Sequence, residues 1–154
     1  MKNSKHIICT ICILAAAIGV MLPACKKEQA ISNVPAITFD SLSPNPAIRY
    51  QDTIKIVISY IDGDGDLGQD STDAKNMFIT DSRNNVTSQF RISQLAPTGS
   101  DIAIEGKINI VLPPQFFTND ADSTETATYS IYVVDRAGHQ SNTVTTTPLL
   151  IKKQ

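Results

Sequence analysis

The chain has 154 residues, with 13 basic and 15 acidic side chains, a formal net charge of −2 and no tryptophan. This mildly acidic balance argues against a nucleic-acid-binding protein, which would carry a strongly basic surface. From residue 25 onward about 130 residues remain, which is enough for one domain to build its own hydrophobic core.

The first 24 residues have the composition of a targeting segment. Lys2 and Lys5 form a short cationic start, and residues 7–22 are uncharged and mainly apolar. A run of about sixteen such residues suits a signal peptide, and it falls short of the roughly 20 residues that cross a bilayer comfortably. We therefore predict that residues 1–24 are a signal peptide. An ordinary secretory signal and an uncleaved membrane anchor are the alternatives.

The segment Leu22-Pro23-Ala24-Cys25 resembles the lipobox of bacterial lipoproteins, with an apolar residue three positions before the cysteine and a small residue directly before it. The resemblance implies that Cys25 becomes the first residue of the mature protein and carries lipid, including acyl groups such as palmitate. It thus implies attachment to a membrane. Lipoproteins retained at the inner membrane often carry aspartate after the cysteine, and here Lys26 follows. The outer membrane of the cell envelope is therefore expected, with exposure at the cell surface as a further possibility.

Cysteine use and linker length follow from this boundary. Cys9 and Cys12 would leave with the signal peptide, so that Cys25 would be the only cysteine of the mature chain and no disulfide could form. Residues 25–33 are predicted to be the lipidated cysteine and a short polar linker. Eight linker residues reach at most about 26–29 Å, so the domain predicted over residues 34–154 should lie close to the membrane.

From residue 34 onward hydrophobic residues recur with a period of two, which predicts β-strands rather than helices. For residues 114–122, one or two helical turns are left open as an alternative. About seven strands in roughly 120 residues predict an all-β domain, a single antiparallel β-sandwich. The clearest strand signals are at 53–61, 102–112 and 129–133, and weaker ones are at 35–40, 76–80, 86–94 and 142–151.

Residues 129–145 resemble the last hairpin of extracellular immunoglobulin-like, fibronectin type III and cadherin-like modules, in which V-x-D-x-x-G turns the chain before the final strand. The resemblance implies that the sandwich is immunoglobulin-like. Antibody-type members contain a Cys–Trp–Cys signature. Because the chain has no tryptophan, it is not expected to belong to that subclass.

Residues 61–73 contain the one group of side chains that could carry chemistry, because they hold five aspartates and no basic residue. Asp62, Asp64 and Asp66 alternate with glycines, so that their oxygens can converge on one point. Calcium takes six to eight oxygen ligands, and a structural calcium ion is therefore one interpretation. The alternatives are a solvated Asp-Gly turn and an acidic loop that binds a partner.

The three aspartates match the first ligand positions of an EF-hand loop, but Leu67 stands where that loop needs glycine, so an EF-hand is excluded. In a sandwich, the loop after the sixth strand lies at the same end as the loop after the second. Asp135 should therefore join the acidic loop, and cadherin-like modules bind calcium at domain ends with comparable residues. The predicted ligands are Asp62, Asp64, Asp66 and Asp135, with Asp70, Asp73 and Asn142 as weaker candidates.

No catalytic arrangement is visible. His139 is the only histidine after the signal peptide, it has no nucleophile pattern near it, and its expected place is an exposed turn. We therefore expect a non-enzymatic envelope lipoprotein that uses its sandwich for binding, adhesion or assembly with a protein or glycan ligand. The alternative is a carbohydrate-binding accessory module of an envelope glycan-uptake system. Its candidate sugar-stacking residues are Tyr50, Phe116, Phe117 and Tyr132.

Overall fold

The computed structural model describes residues 31–154. The predicted signal peptide, Cys25 and most of the predicted linker lie outside the described residues. Within residues 31–154 there is no helix, and accordingly none that is long and apolar enough to cross a membrane. The helical turns considered near residues 114–122 are a non-helical segment with a single turn around residue 120.

Residues 31–154 form ten β-strands. The three strongest sequence signals fall on β3, β6 and β8, and the signals at 35–40 and 76–80 fall on β1 and β4. In chain order the strands are β1 (Ala36–Ser43), β2 (Ala47–Ile48), β3 (Ile54–Asp62), β4 (Met77–Asp81), β5 (Thr87–Phe90), β6 (Ile104–Leu112), β7 (Thr124–Ala127), β8 (Tyr129–Val133), β9 (Val144–Thr145) and β10 (Leu149–Lys152).

The strands form three sheets. One has the order β1-β3-β6 and another the order β5-β4-β8-β9, and both are antiparallel throughout. A smaller third sheet has the order β2-β10-β7, in which β10 is parallel to β2 and antiparallel to β7. The domain is thus all-β and sandwich-like, as the alternating pattern predicted.

Alternation along β3 shows why the strands form where they do. Ile54, Ile56 and Ile58 are fully buried, while Lys55 between the first two is exposed. On the neighbouring strand β6, Ile110 lies opposite Ile56 and is also buried. Each such isoleucine stabilises the fold by about 1.5–3 kcal/mol through removal of apolar surface from water.

The core continues into the other two sheets. β4 and β8 bury Ile79, Ile131 and Val133, and β10 buries Leu149 and Ile151. All five belong to the same hydrophobic cluster as the β3 isoleucines. One continuous core therefore holds the described part of the chain together.

The described part of the chain has ten strands where about seven were expected, and short strands account for the difference. The signal at 142–151 corresponds to two strands, β9 and β10, because Pro148 between them has no N–H for a ladder. The signal at 86–94 ends early, at Phe90. There the Asn76 side chain takes both backbone groups of Ile92, with its Oδ1 accepting from the N–H at 2.6 Å and its Nδ2 donating to the carbonyl at 3.2 Å.

Candidate metal centre

β3 and β8 finish at the same end of the domain, and the loops that follow them meet there. The first loop, residues 62–68, contains the alternating aspartates, and the second, residues 134–139, contains Asp135. We call these two segments the acidic loop and the facing loop. The backbone N–H of Arg136 in the facing loop donates to the Asp66 carbonyl at 3.3 Å, which joins the two directly.

Two glycines allow the acidic loop to take its path. Gly65 and Gly68 have φ of +72° and +88°, in the left-handed region that disfavours residues with a side chain. Other backbone segments also press on these positions. A Cβ on Gly65 would clash with the Ile102 carbonyl oxygen, and one on Gly68 would clash with the Ser93 carbonyl oxygen. The loop is therefore shaped by the chain around it as well as by its own turns.

Arg136 links the two loops through its guanidinium group. Nη1 donates to the Gly68 carbonyl at 2.8 Å, and Nη2 lies 3.3 Å from the Gly65 carbonyl. Sequence reasoning did not identify this residue. The available signal was a single basic side chain directly after Asp135, in a loop expected to face an acidic one.

Three carboxylates converge at this junction. Asp62, Asp66 and Asp135 each present one oxygen, and these oxygens all lie within 4.8 Å of one another. Asp62 is fully buried and Asp135 is 3% exposed. Such burial is unusual for aspartate unless its charge is compensated.

Part of each carboxylate is used by protein donors. Asp62 Oδ2 accepts from the backbone N–H of Leu67 at 2.9 Å. Asp135 Oδ1 accepts from the backbone N–H of His139 at 2.8 Å, and its Oδ2 lies 2.9 Å from Nδ1 of the His139 ring. The His139 side chain is 45% exposed and thus lies at the surface, as expected, but it also orients Asp135.

Other carboxylate oxygens of the acidic loop have no donor. Asp62 Oδ1, Asp64 Oδ1 and Asp66 Oδ1 are buried from solvent and make no hydrogen bond. A buried polar atom left without a partner costs about 1–3 kcal/mol, and more if it carries charge. Three such oxygens on alternate residues make the ionised form of the loop costly unless a cation or a proton compensates its charge.

The electrostatics of the cluster agree with this geometry. Burial raises the pKa of Asp62, and the hydrogen bond from the Leu67 N–H lowers it. The charges of Asp64, Asp66 and Asp135 raise it further. Burial and the charges of Asp135 and Asp64 also raise the pKa of Asp66. The Ala137 N–H and the Arg136 charge act in the opposite direction. With protein groups alone, the ionised cluster is thus held at an electrostatic cost.

The weaker candidates do not join the cluster. Asp70 and Asp73 are exposed, because the chain beyond Gly68 turns away to meet Arg91, whose Nη1 donates to the Asp70 carbonyl at 3.2 Å. The Asn142 amide is occupied by the start of β1, since its Oδ1 accepts from the Ile37 N–H and its Nδ2 donates to the Ile37 carbonyl, both at 2.8 Å.

The four aromatic candidates do not form one patch. Phe117 is buried, and Tyr132 stacks on Phe78 with ring centroids 4.7 Å apart. Tyr50 and Phe116 are 61% and 49% exposed.

No family model, no curated protein and no solved structure matches this chain.

Proposed function

We propose that this chain is a non-enzymatic, lipid-anchored protein of the bacterial cell envelope that presents an immunoglobulin-like β-sandwich for binding, adhesion or assembly. In this proposal one structural calcium ion fixes the acidic loop and the facing loop. The observation that carries the calcium site is Asp62 Oδ1, a fully buried carboxylate oxygen that has no hydrogen-bond donor and belongs to the carboxylate cluster. The lipobox at Cys25 carries the envelope location.

Cluster dimensions support a calcium ion. Oxygens bound to one calcium at about 2.3–2.6 Å can be at most about 4.6–5.2 Å apart. The separations of up to 4.8 Å among the oxygens of Asp62, Asp66 and Asp135 lie within that limit. Asp64 adds a fourth carboxylate whose charge acts on both Asp62 and Asp66. Zinc would favour nitrogen or sulfur ligands, and the three converging groups are all carboxylates.

Burial also weighs against the two alternative interpretations of the acidic loop. A solvated Asp-Gly turn, or an acidic loop open to a partner, would leave its carboxylates exposed to water. Asp62 and Asp135 are instead buried, and Arg136 ties the loops together. Like charges this close repel each other strongly unless a cation or a proton lies between them.

Strand order supports the immunoglobulin-like assignment. If β1, β3 and β6 are taken as strands A, B and E, the first sheet has the order A-B-E. If β5, β4, β8 and β9 are taken as C′, C, F and G, the second sheet has the order C′-C-F-G. These are the strand neighbours of immunoglobulin-like sandwiches. The third sheet, β2-β10-β7, is an addition to that plan.

Calcium binding is tested by isothermal titration of the purified protein with calcium chloride, together with thermal unfolding in millimolar calcium and in EGTA. We expect heat of binding, a rise in melting temperature with calcium and a fall on chelation. Neither heat nor a shift in melting temperature would reject the site. Magnesium at the same concentration is the control for a nonspecific charge effect.

Lipid anchoring is tested separately, by feeding an alkyne analogue of palmitate to an expressing Gram-negative host. Wild-type protein should incorporate the label and partition into detergent. The Cys25→Ser variant should do neither. An unlabelled wild-type protein in the soluble fraction would reject the lipoprotein assignment without affecting the calcium site.

The carbohydrate-binding alternative has one favourable observation, namely that Tyr50 and Phe116 are exposed. The Tyr50 N–H donates to the Gln115 carbonyl at 2.9 Å, so both residues lie at the same end of the domain. Arginine side chains already lie over both rings, Arg49 over Tyr50 and Arg83 over Phe116. Affinity electrophoresis in neutral polysaccharide gels tests the alternative, which requires a retardation that Tyr50→Ala and Phe116→Ala reduce.

A further inference from the structure

The chain enters the domain directly against the acidic loop. The Ser32 carbonyl accepts from the backbone N–H of Gly63 at 2.8 Å. A Cβ on Gly63 would lie only 2.5 Å from the carbonyl oxygens of Ile31 and Ser32. Gly63 lies between Asp62 and Asp64, so the segment nearest the proposed membrane anchor touches the loop that would hold the cation.

This entry segment, residues 31–34, is attached much more weakly than the residues that follow it. Ile31 and Val34 are 43% and 44% exposed, and the Val34 N–H donates within the segment, to Ser32 Oγ at 3.0 Å. Among the hydrogen bonds of the described residues, the one from Gly63 to Ser32 alone joins the entry segment to the rest of the domain.

The next residues are fixed independently of the acidic loop. Pro35 is fully buried, and Ile37 is 3% exposed and belongs to the hydrophobic core. The Asn142 amide holds both backbone groups of Ile37. Attachment of the chain therefore changes within a few residues, from a single loop contact at Ser32 to core packing at Pro35.

We propose that the cation at the carboxylate cluster clamps the entry segment onto the domain, so that cation binding decides whether the first fixed residue is Ser32 or Pro35. This inference rests on the calcium site proposed above. With the cation bound, the acidic loop is fixed and the Gly63 N–H stays in position for Ser32. Without it, the ionised carboxylates repel each other, the loop spreads, and the donor moves away from the segment.

The consequence concerns the distance between the domain and the membrane. Six residues, 26–31, separate Cys25 from Ser32, and nine residues, 26–34, separate it from Pro35. At full extension these stretches reach at most about 20–22 Å and about 30–32 Å. Calcium would therefore shorten the tether by about a third and hold the end formed by the acidic and facing loops toward the membrane.

The test measures order in the entry segment of the protein as the cell processes it, labelled with 15N and purified in detergent micelles. Order parameters of the Ser32 and Asn33 amides are measured in calcium chloride and in EGTA. We expect values near 0.85 with calcium and below about 0.6 without it, the ranges of rigid and flexible backbone. Ile37 should stay rigid in both conditions.

Gly63→Ala separates the clamp from the site. The added methyl group would meet two backbone carbonyls and displace the entry segment, while every carboxylate remains. Because Gly63 belongs to the acidic loop, the calcium affinity of this variant is measured by isothermal titration, and its order parameters are recorded at a calcium concentration that saturates it. At saturation we expect Ser32 and Asn33 to stay flexible, as they are in EGTA. Gly106→Ala is the matched control, because it adds the same methyl group on β6, outside both loops, where the nearest atoms belong to the Tyr60 side chain. It should keep the wild-type change in order at Ser32 and Asn33.

The outcomes are distinguishable. Calcium binding to the wild type with no change in order at Ser32 and Asn33 would overturn the clamp and leave the calcium site standing. Absence of calcium binding would overturn both proposals. A Gly63→Ala variant whose entry segment still becomes rigid with calcium would show that the Gly63–Ser32 contact is not the clamp, and it would likewise overturn the inference.

Discussion

The Asp66 carboxylate accepts a hydrogen bond of 3.0 Å from the backbone N–H of Ala137, and this bond joins the acidic loop to the facing loop. It uses Oδ2 of Asp66 and leaves Oδ1 buried without a donor. The same side chain therefore connects the two loops and contributes to the carboxylate cluster. Because the donor is a backbone N–H, any residue except proline at position 137 can make this connection.

Replacing the most buried carboxylate should remove the calcium response. Asp62→Asn keeps the shape of the side chain and the acceptor for Leu67, but it removes the charge. We expect at least a tenfold loss of calcium affinity, about 1.4 kcal/mol, together with an unchanged or higher melting temperature in EGTA, because a costly buried charge is gone. Isothermal titration and thermal unfolding measure the two effects.

The control for Asp62 is Asp40→Asn. Asp40 is exposed on β1 and pairs with Lys107 at 2.8 Å, away from both loops. It should titrate with calcium like the wild type. Equal weakening in the Asp40 and Asp62 variants would mean that calcium acts on the general charge of the protein.

Arg136 should stabilise the cation-free form more than the calcium-bound form. It donates to two loop carbonyls and is the positive charge that lowers the pKa of Asp66. We expect Arg136→Gln to lower the free energy of unfolding in EGTA by about 1–3 kcal/mol, since it loses these bonds and the charge. Saturating calcium should recover part of that loss by holding the loops together through the carboxylates.

Arg136→Lys separates the two contributions of the arginine. Lysine keeps the positive charge but cannot reach two carbonyls with a planar fork. Urea unfolding should place this variant between Arg136→Gln and the wild type. If all three proteins unfold at the same urea concentration in EGTA, the contacts of Arg136 with Gly65 and Gly68 contribute nothing measurable.

The sequence predicted the strongest strands and the approximate place of the carboxylates, because both depend on local patterns. Alternating isoleucines identify β3, and Asp135 could be placed near Asp62 from strand order alone. Arg136 and the contact of Gly63 with Ser32 could not be predicted. They depend on where distant backbone carbonyls lie. Every residue type has a backbone carbonyl, so the sequence does not indicate which carbonyls will be near a given side chain.

Asn142 is a residue for which the sequence suggested a role that the structure does not support. Its place in the chain suggested a ligand at the acidic end of the sandwich, but its amide is used by the backbone of Ile37. The short strands β2 and β7 were missed for a related reason. β7 consists of the sequence Thr-Glu-Thr-Ala, which has no alternating apolar residues, and it is a strand because β10 lies beside it.

Adjacent residues of β6 provide a test of the packing. Ile110 is 2% exposed and lies opposite Ile56, whereas Val111 is 57% exposed. We expect Ile110→Ala to lower the free energy of unfolding by about 2–5 kcal/mol through the cavity it leaves. Val111→Ala should change it by no more than about 0.5 kcal/mol. Similar losses in urea unfolding would contradict the inward orientation of Ile110.

The pH dependence of stability should differ in sign between the cation-free and the calcium-bound protein. Burial raises the pKa of Asp62 and Asp66 in the folded state above their ordinary value of 3.8. In EGTA the folded protein therefore binds protons at a higher pH than the unfolded chain does. This contribution stabilises the fold as the pH falls from neutral through those raised pKa values, and it is lost again as the pH rises.

In saturating calcium the order reverses, because protons compete with the cation for the same oxygens. The free energy of unfolding in calcium should then decrease as the pH falls over the same range. The free energies of unfolding in calcium and in EGTA therefore converge on acidification. Asp40 does not affect the comparison. Its Lys107 and Ser59 partners lower its pKa below 3.8, so its contribution to the pH dependence of stability lies at lower pH. Urea unfolding from about pH 7 to pH 4 with each additive measures both curves. In Asp62→Asn the difference in free energy of unfolding between calcium and EGTA should already be small at neutral pH, because one of the charges that bind the cation is absent. If this difference does not narrow on acidification of the wild type, the carboxylates are excluded as the cation ligands.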